Sequence, residues 1–301
     1  MNTKAVIKKI VPKAVLNLRH LFFAWYGAVK YKHPSKELLV IGITGTSGKS
    51  STVCFLRQLL EHAGFVVGSL STIDFYVAGE NKLNDKKMTM LGLFANQKYL
   101  REMVDKKCDI AIVETTSEGA VQHRHKFINY DMMMLTNLYP EHIDSHGSFE
   151  KYKQAKEDIF SYASRQKRKT VQNKKLETLH MPLVKTAIVN ANSEYAEEFL
   201  SEAFEEKRLF SYADETVSLS KHELSGTCDH VSVEKTHVTK KGLAFEIDKK
   251  TYTAPMYGKH NIGNIAAAIS VMRALHVDDA VLQDAVKNLE SPAGRVESIP
   301  E

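Results

Sequence analysis

The stretch Leu38-Leu39-Val40-Ile41-Gly42-Ile43-Thr44-Gly45-Thr46-Ser47-Gly48-Lys49-Ser50-Ser51 decides the fold. It opens as an apolar run of strand character. Val53, Leu56, Leu59, Leu60 and Ala63 follow at the spacing of one helix face. Strand, glycine loop, helix is an order that aims successive backbone N–H groups and a helix N-terminus at one point, where phosphate oxygens fit. Lys49 is placed to reach β- and γ-phosphates, and the Ser50 hydroxyl to sit on Mg²⁺. The strict motif has a glycine five residues before Gly48; Ile43 stands there, and the glycines are Gly42, Gly45 and Gly48, so the loop is a variant.

The 301 residues allow one large α/β domain or two smaller ones. Hydrophobic residues at 43% and charged residues at 26% are ordinary for a globular protein. The net charge of +5 is mild and gathers in local patches, so it gives no reason to expect a nucleic-acid partner. Cys54, Cys108 and Cys228 are odd in number and far apart, which argues against a disulfide framework or a zinc site and suits a reducing cytoplasm.

At the N-terminus Val11, Val15, Leu18, Phe22, Trp25 and Val29 recur every three or four residues, flanked or interrupted by Lys13, Arg19, His20, Lys30 and Lys32. The uncharged runs fall short of the ~18 residues of a membrane span. Two readings follow: a helix packed on its own domain, or a basic amphipathic helix lying on a membrane surface. His33-Pro34-Ser35 breaks this helix.

Beyond the glycine loop, Phe65–Val67 reads as a strand, 79–87 as a loop or hairpin, and Leu93–Lys106 as a helix. Asp109–Val113, ending at Glu114, and Asp131–Leu135, ending at Thr136-Asn137, read as buried strands; Phe149–Tyr162 reads as a helix, and Ala187–Val189 resumes the sheet. The run Arg165–Lys175 reads as a solvated basic loop. From about Val217 to Pro255 the period falls to two, as for a small antiparallel sheet; Ile262–Leu275 and Ala280–Leu289 return to helix. The fold class is therefore α/β: a mostly parallel sheet with helices on both faces and a small antiparallel sheet attached.

Ligands of such sheets bind beyond the carboxyl ends of the strands. Glu114 stands at one of these ends, where an acidic oxygen suits Mg²⁺. His142 and Asp144 follow the next strand on the same edge. Lys156, one turn after Tyr152 in a helix, reads by itself as a solvated lysine.

Several motifs recur in order: Thr44-Gly45-Thr46-x-Gly48-Lys49-Ser50-Ser51, Glu114-Thr115-Thr116-Ser117, Thr136-Asn137 with His142-Ile143-Asp144, Tyr152-x-x-Ala155-Lys156, His260-Asn261-x-x-Asn264 and Gly294-Arg295-Val296-Glu297. With these the chain resembles the Mur ligases from about Leu38 to Glu297. Gly119-Ala120-Val121-Gln122-His123-Arg124 is most similar to the MurE branch, the UDP-N-acetylmuramoyl-tripeptide synthetases.

The resemblance implies a cytoplasmic ligase in peptidoglycan biosynthesis. ATP activates a carboxylate of a UDP-muramoyl peptide as an acyl phosphate, and an amino acid amine displaces phosphate. It implies ATP contacts from Gly45, Thr46, Ser47, Gly48, Lys49, Ser50, Ser51, Asn137, Asn261, Asn264 and Arg295. It implies Mg²⁺ held by Ser50, Glu114, His142 and a CO₂-derived carbamate on Lys156, with Lys49, Glu114, His142 and Lys156 as the catalytic set. Thr89, Thr116, Ser117, Gln122 and Arg124 match positions that hold the muramoyl peptide.

The chain departs from the family at Met88-Thr89-Met90, where only Thr89 remains of a usual threonine pair, and at Glu118, commonly histidine. On this reading residues 1–35 form the amphipathic helix and 36–301 the central ATP-binding domain, without the C-terminal domain that binds the incoming amino acid. Such a chain alone is expected to bind ATP but not to ligate. A Mur-like ligase for a different carboxylate, or a non-ligating ATP-binding paralogue or fragment, are the alternatives.

Overall fold

Alternation of apolar side chains builds a sheet buried on both faces. In Leu39–Thr44 (β1) every residue is buried. Leu39, Ile41 and Ile43 enter the core on one face, while Val40, with Leu38 before the strand, enters the core on the other. Ile110–Glu114 (β5) and Met132–Leu135 (β6) flank β1, both parallel to it. The computed structural model describes residues 13–84, 88–141, 146–177, 179, 183–212 and 229–292.

Among the described residues the sheet has eleven strands in the order β11-β10-β9-β8-β7-β6-β1-β5-β2-β3-β4. Here β2 is Val67–Leu70, β3 Asp74–Val77, β4 Glu80–Leu83, β7 Thr186–Asn190, β8 Glu206–Tyr212, β9 Asp229–Thr239, β10 Gly242–Ile247 and β11 Lys250–Ala254. From β9 to β2 every neighbouring pair is parallel. The antiparallel strands extend the two edges: the β3–β4 hairpin beside β2, and β10 with β11 beside β9. The expected small antiparallel sheet is thus continuous with the main one.

Helix α1 is Lys13–Lys30, α2 Lys49–His62, α3 Leu93–Asp105, α4 Ser117–Val121, α5 Phe149–Ser164, α6 Ala196–Ser201, α7 His260–Ala274 and α8 Asp279–Lys287. Helices α2, α7 and α8 supply Leu56, Leu59, Ile265, Ile269 and Leu282 to one core. On the opposite face α3, α5 and α6 supply Leu100, Met103, Ile159, Phe160 and Phe199. Helix α1 packs on α3 outside this second core, with Tyr26 against Phe94 and the Arg101 Nε donating to the Tyr31 carbonyl at 3.0 Å. Among the described residues no helix is long and apolar enough to cross a membrane.

Three expectations are corrected. Strand β2 begins at Val67 rather than Phe65, because Gly68 and Ser69, weak strand formers, hide it. Strand β8 was not expected, since Lys207 and Arg208 interrupt its apolar pattern; Arg208 is buried and reaches Asp229 at 3.3 Å. The basic run 165–175 is not wholly solvated: Lys169 is buried, its ammonium 2.7 Å from Asp131.

Candidate functional site

The loop between β1 and α2 takes its shape from two glycines. Gly45 (φ 153°) and Gly48 (φ 76°) both have backbone angles that side-chain-bearing residues rarely adopt. A Cβ on Gly45 would fall 1.9 Å from the Thr136 hydroxyl, and one on Gly48 would fall 2.3 Å from Asn264 Oδ1. The turn can therefore lie flat against the end of β6 on one side and the start of α7 on the other.

Neighbouring strand ends hold it there. The Thr46 and Ser47 amides donate to Asn137 Oδ1 at 3.1 and 2.9 Å, and the Thr136 hydroxyl donates to the Ser47 carbonyl at 2.8 Å. The Tyr152 hydroxyl, from α5, donates to Thr46 Oγ1 at 3.0 Å. Lys49 curls over the loop, donating to the carbonyls of Gly45 and Thr46 at 2.9 and 2.8 Å.

Lys156 is the largest departure from the residue-by-residue reading. It is 1% exposed, not solvated, and donates to the Gly45 carbonyl at 2.8 Å, with its ammonium over the Tyr152 ring. Burial, and then the charge of Lys49, push its pKa well below the ordinary lysine value, against the pull of Glu141 and Glu114.

Glu114, buried at the end of β5, sits beside the loop. Its Oε2 accepts from the Ser50 hydroxyl at 3.0 Å and from the Thr72 amide at 2.8 Å; its Oε1 accepts from the Thr72 hydroxyl at 3.0 Å. Ser50 and Glu114 thus present hard oxygen atoms side by side, a donor set that suits Mg²⁺ together with phosphate oxygens. Among the described residues no three His, Cys, Asp or Glu side chains converge as a metal site. His142, Asp144 and Arg295 lie outside the described residues.

Two cavities meet at the loop. One, of about 640 Å³, is lined by Ser47, Gly48, Asn137, Asn190, Tyr212 and Asn264, among others. The second, of about 460 Å³, is lined by Lys49, Ser50, Glu114, Thr116, Arg124 and Lys156, among others. Ser47 and Gly48 line both, so the loop is their common wall.

On the first side, Asn264 Oδ1 accepts from the Thr52 hydroxyl at 3.3 Å, Asn261 donates to the Tyr257 carbonyl at 2.9 Å, and Ser51 is buried in the first turn of α2. On the second side, Thr116 caps α4, accepting from the Gly119 amide at 3.1 Å, and Ser117 opens that helix. Arg124 donates to Gln122 Oε1 at 2.6 Å and to the Met90 carbonyl, and burial lowers its pKa. Thr89 meets the Thr72 hydroxyl at 2.7 Å.

Sequence reading missed Thr72, Asn190 and Tyr212. Asn190 donates to the Thr136 carbonyl at 2.8 Å and to the Tyr212 hydroxyl at 3.0 Å, tying β7 and β8 to the first cavity. Each of the three lies at or just beyond the carboxyl end of a parallel strand. That rule reaches Asn190 from the strand read at 187–189, and reaches Thr72 and Tyr212 only once β2 and β8 are in place.

A model described as the Mur ligase middle domain matches residues 43–272. The UDP-N-acetylmuramoyl-L-alanyl-D-glutamate--2,6-diaminopimelate ligase of Chlamydia muridarum (strain MoPn / Nigg) is 32% identical over 276 residues, covering 89% of this chain and 50% of that protein. The ligase of the same name from Clostridium botulinum (strain ATCC 19397 / Type A) is 28% identical over 273 residues, covering 89% of this chain and 49% of that protein. The chain thus spans about half the length of the curated relatives it matches.

A solved UDP-N-acetylmuramoyl-L-alanyl-D-glutamate--2,6-diaminopimelate ligase superposes with a TM-score of 0.69 at 19% identity, over 88% of this chain and 49% of that one. Mycobacterium tuberculosis folylpolyglutamate synthase, complexed with ADP and AMPPCP, superposes with a TM-score of 0.64 at 15% identity, over 95% of this chain and 68% of that one. At these identities the structures speak to the fold.

Proposed function

Because the chain belongs to the Mur ligase family and carries its middle domain, we propose that it provides the ATP-handling part of a cytoplasmic amide ligase of MurE type. The reaction adds an amino acid to a UDP-N-acetylmuramoyl peptide through an acyl phosphate, with release of ADP and phosphate, in peptidoglycan synthesis. One observation carries this reading: the glycine loop is the shared wall of two cavities, so a phosphoryl group held on it reaches from one into the other.

In this proposal ATP lies in the cavity beside Asn264 and Asn261, with its phosphates on the amides of Thr46–Ser51 and the N-terminus of α2. Asn137 sets the loop. Lys49 leaves the loop carbonyls for the β- and γ-phosphates and draws off charge as the phosphoryl group moves. Ser50 and Glu114 hold Mg²⁺, with His142 and Arg295 completing the sets the family resemblance implies. When bound, the metal offsets charge on the phosphate oxygens. The acceptor carboxylate enters the second cavity, where Thr89, Thr116, Ser117, Gln122 and Arg124 orient it.

Lys156 belongs to that same cavity. Its burial disfavours the ammonium, and the neutral amine is the form that attacks CO₂. The nitrogen bonds the carbon, a proton leaves to solvent, and the product is an anionic carbamate whose oxygens suit Mg²⁺. A Mur-like ligase acting on a different carboxylate is the second reading; Met88 and Glu118, which line the second cavity, are its motive.

Calorimetric titration of ATP with Mg²⁺ tests the nucleotide assignment. The chain should bind, and Lys49→Ala should lose binding while its circular dichroism is unchanged. Equal affinity in the two would remove the assignment. Phosphate release with muramoyl and folate-like acceptors, measured on this chain and on any longer product of the same gene, then separates the two readings. Nothing in either reading uses the outer face of α1.

A further inference from the structure

Helix α1 carries two faces with different fates. Toward α3 it presents small residues, and Ala24 and Ala28 are buried. Away from it runs a second stripe, Val15, Leu18, Phe22, Trp25 and Val29, at alternating spacings of three and four residues. These side chains are exposed: Val15 by 54%, Leu18 by 68%, Phe22 by 52%, Trp25 by 46% and Val29 by 44%. Of the large apolar side chains exposed among the described residues, more lie on this helix than on the rest of the chain together. A contiguous apolar stripe of this kind marks a surface that meets something apolar.

The charge around the stripe identifies its partner. The first 36 residues contain Lys4, Lys8, Lys9, Lys13, Arg19, Lys30, Lys32 and Lys36 and not one Asp or Glu. We propose that α1 lies flat on an anionic lipid surface, its stripe in the acyl boundary and its basic residues at the headgroups. Arg19 and Lys30 lie on the helix and Lys32 just after it, Arg19 over the Phe23 ring and the Lys30 ammonium over the Phe94 ring, and they give this segment its positive sign. Trp25 and Tyr26 are amphipathic rings of the sort that favour the water–lipid boundary. The helix is interfacial and not spanning: it is 18 residues long and carries Arg19 and His20 in its middle.

The spacing of the stripe also matches a coiled-coil seam, so a second copy of the chain is the rival occupant. Such a seam is stabilised by pairs of opposite charge along its margins. Here two copies would bring together basic rows with no acidic partner in the same segment. Anionic lipid supplies the missing sign, and the chain's mild overall charge leaves this segment as a local basic patch.

The chain's one tryptophan is Trp25, so tryptophan emission, excited selectively over the tyrosines, reports this helix alone. The experiment mixes the 301-residue chain with phosphatidylcholine vesicles, with or without phosphatidylserine, and follows emission and co-sedimentation. The expected result is a blue shift and binding with phosphatidylserine, weaker by about tenfold or more on neutral vesicles and in high salt. The double variant Leu18→Glu/Phe22→Glu should lose both signals while keeping the circular dichroism and ATP affinity of the parent.

Absence of vesicle binding by the parent chain overturns the proposal, as does binding that survives the double variant. Concentration-dependent self-association that the variant abolishes, without vesicle binding, overturns it in favour of the second copy. Nucleotide binding is read separately, so the outcome does not depend on the ligase assignment.

Discussion

Thr72 shows how much one side chain can organise. Its amide and hydroxyl take opposite oxygens of Glu114, fixing the plane of this buried carboxylate beside the glycine loop. Valine at 72 keeps the amide bond and loses the hydroxyl. Hydrogen bonds to charged groups contribute roughly 1.5–3 kcal/mol. Thr72→Val should therefore weaken Mg²⁺-dependent ADP binding about tenfold or more, with Thr72→Ser close to the parent. Mn²⁺ electron paramagnetic resonance with ADP present measures this, and equal Mn²⁺ affinity in the valine variant would count against the clamp. Lys156 invites a different measurement. Labelled bicarbonate at neutral pH should give a lysine carbamate ¹³C signal in the parent chain and none in Lys156→Ala. A signal missing from the parent would leave Lys156 as a buried structural amine.

At the scale of elements, the edge of the sheet opposite the loop is held by charge. Asp131, just before β6, accepts from Lys169 at 2.7 Å, Lys185 at 3.2 Å and the Val40 amide at 2.9 Å, joining the 165–175 segment to β1 and β7. Removing the shared anion leaves two buried cations, so Asp131→Ala should cost about 3–5 kcal/mol in a denaturant titration. Burial outweighs Asp131's attraction and lowers the Lys169 pKa from 10.5 to about 8. The unfolded chain then binds the extra proton through that interval, so stability from this group rises as pH goes from about 8 to 10.5, by ~3 kcal/mol when complete. Below pH 8 the full penalty is present. Melts across this window should show the parent gaining relative to Lys169→Met; parallel curves would mean that Lys169 stays charged.

For the whole molecule, the crevice lies at the switch point of the sheet. From β1 the chain crosses to β2 on one side, whereas from β6 it continues to β7 on the other. The nucleotide proposed there would bridge both halves, because the first cavity draws on β6, β7, β8 and the starts of α2 and α7. A ligand that binds only the folded state at a hundred times its Kd adds ~2.7 kcal/mol. ATP with Mg²⁺ should thus raise the melting temperature by a few degrees, and differential scanning fluorimetry should show no rise for Lys49→Ala. An equal rise in the variant would place the nucleotide elsewhere.

The local signals were legible because each is short-range. A glycine loop between an apolar run and a 3.6-residue pattern leaves few conformations that bury the one and turn the other, and acidic or amide residues at strand ends mark the reactive edge. Hence β1, α2, β5, β6 and the positions of Lys49, Ser50, Glu114 and Asn137 could be read directly. Tertiary structure alone decided the rest. Lys156 and Lys169 look solvated in sequence and are buried, because a lysine's stem is apolar and its head finds the Gly45 carbonyl in one case and Asp131 in the other. Strand β8 exists despite Lys207 and Arg208 because Asp229, on a strand distant in sequence, takes the guanidinium. Thr72 meets Glu114 only because β2 and β5 pair in one register. Burial of a charge depends on what the fold brings to it, and no window of sequence contains that partner.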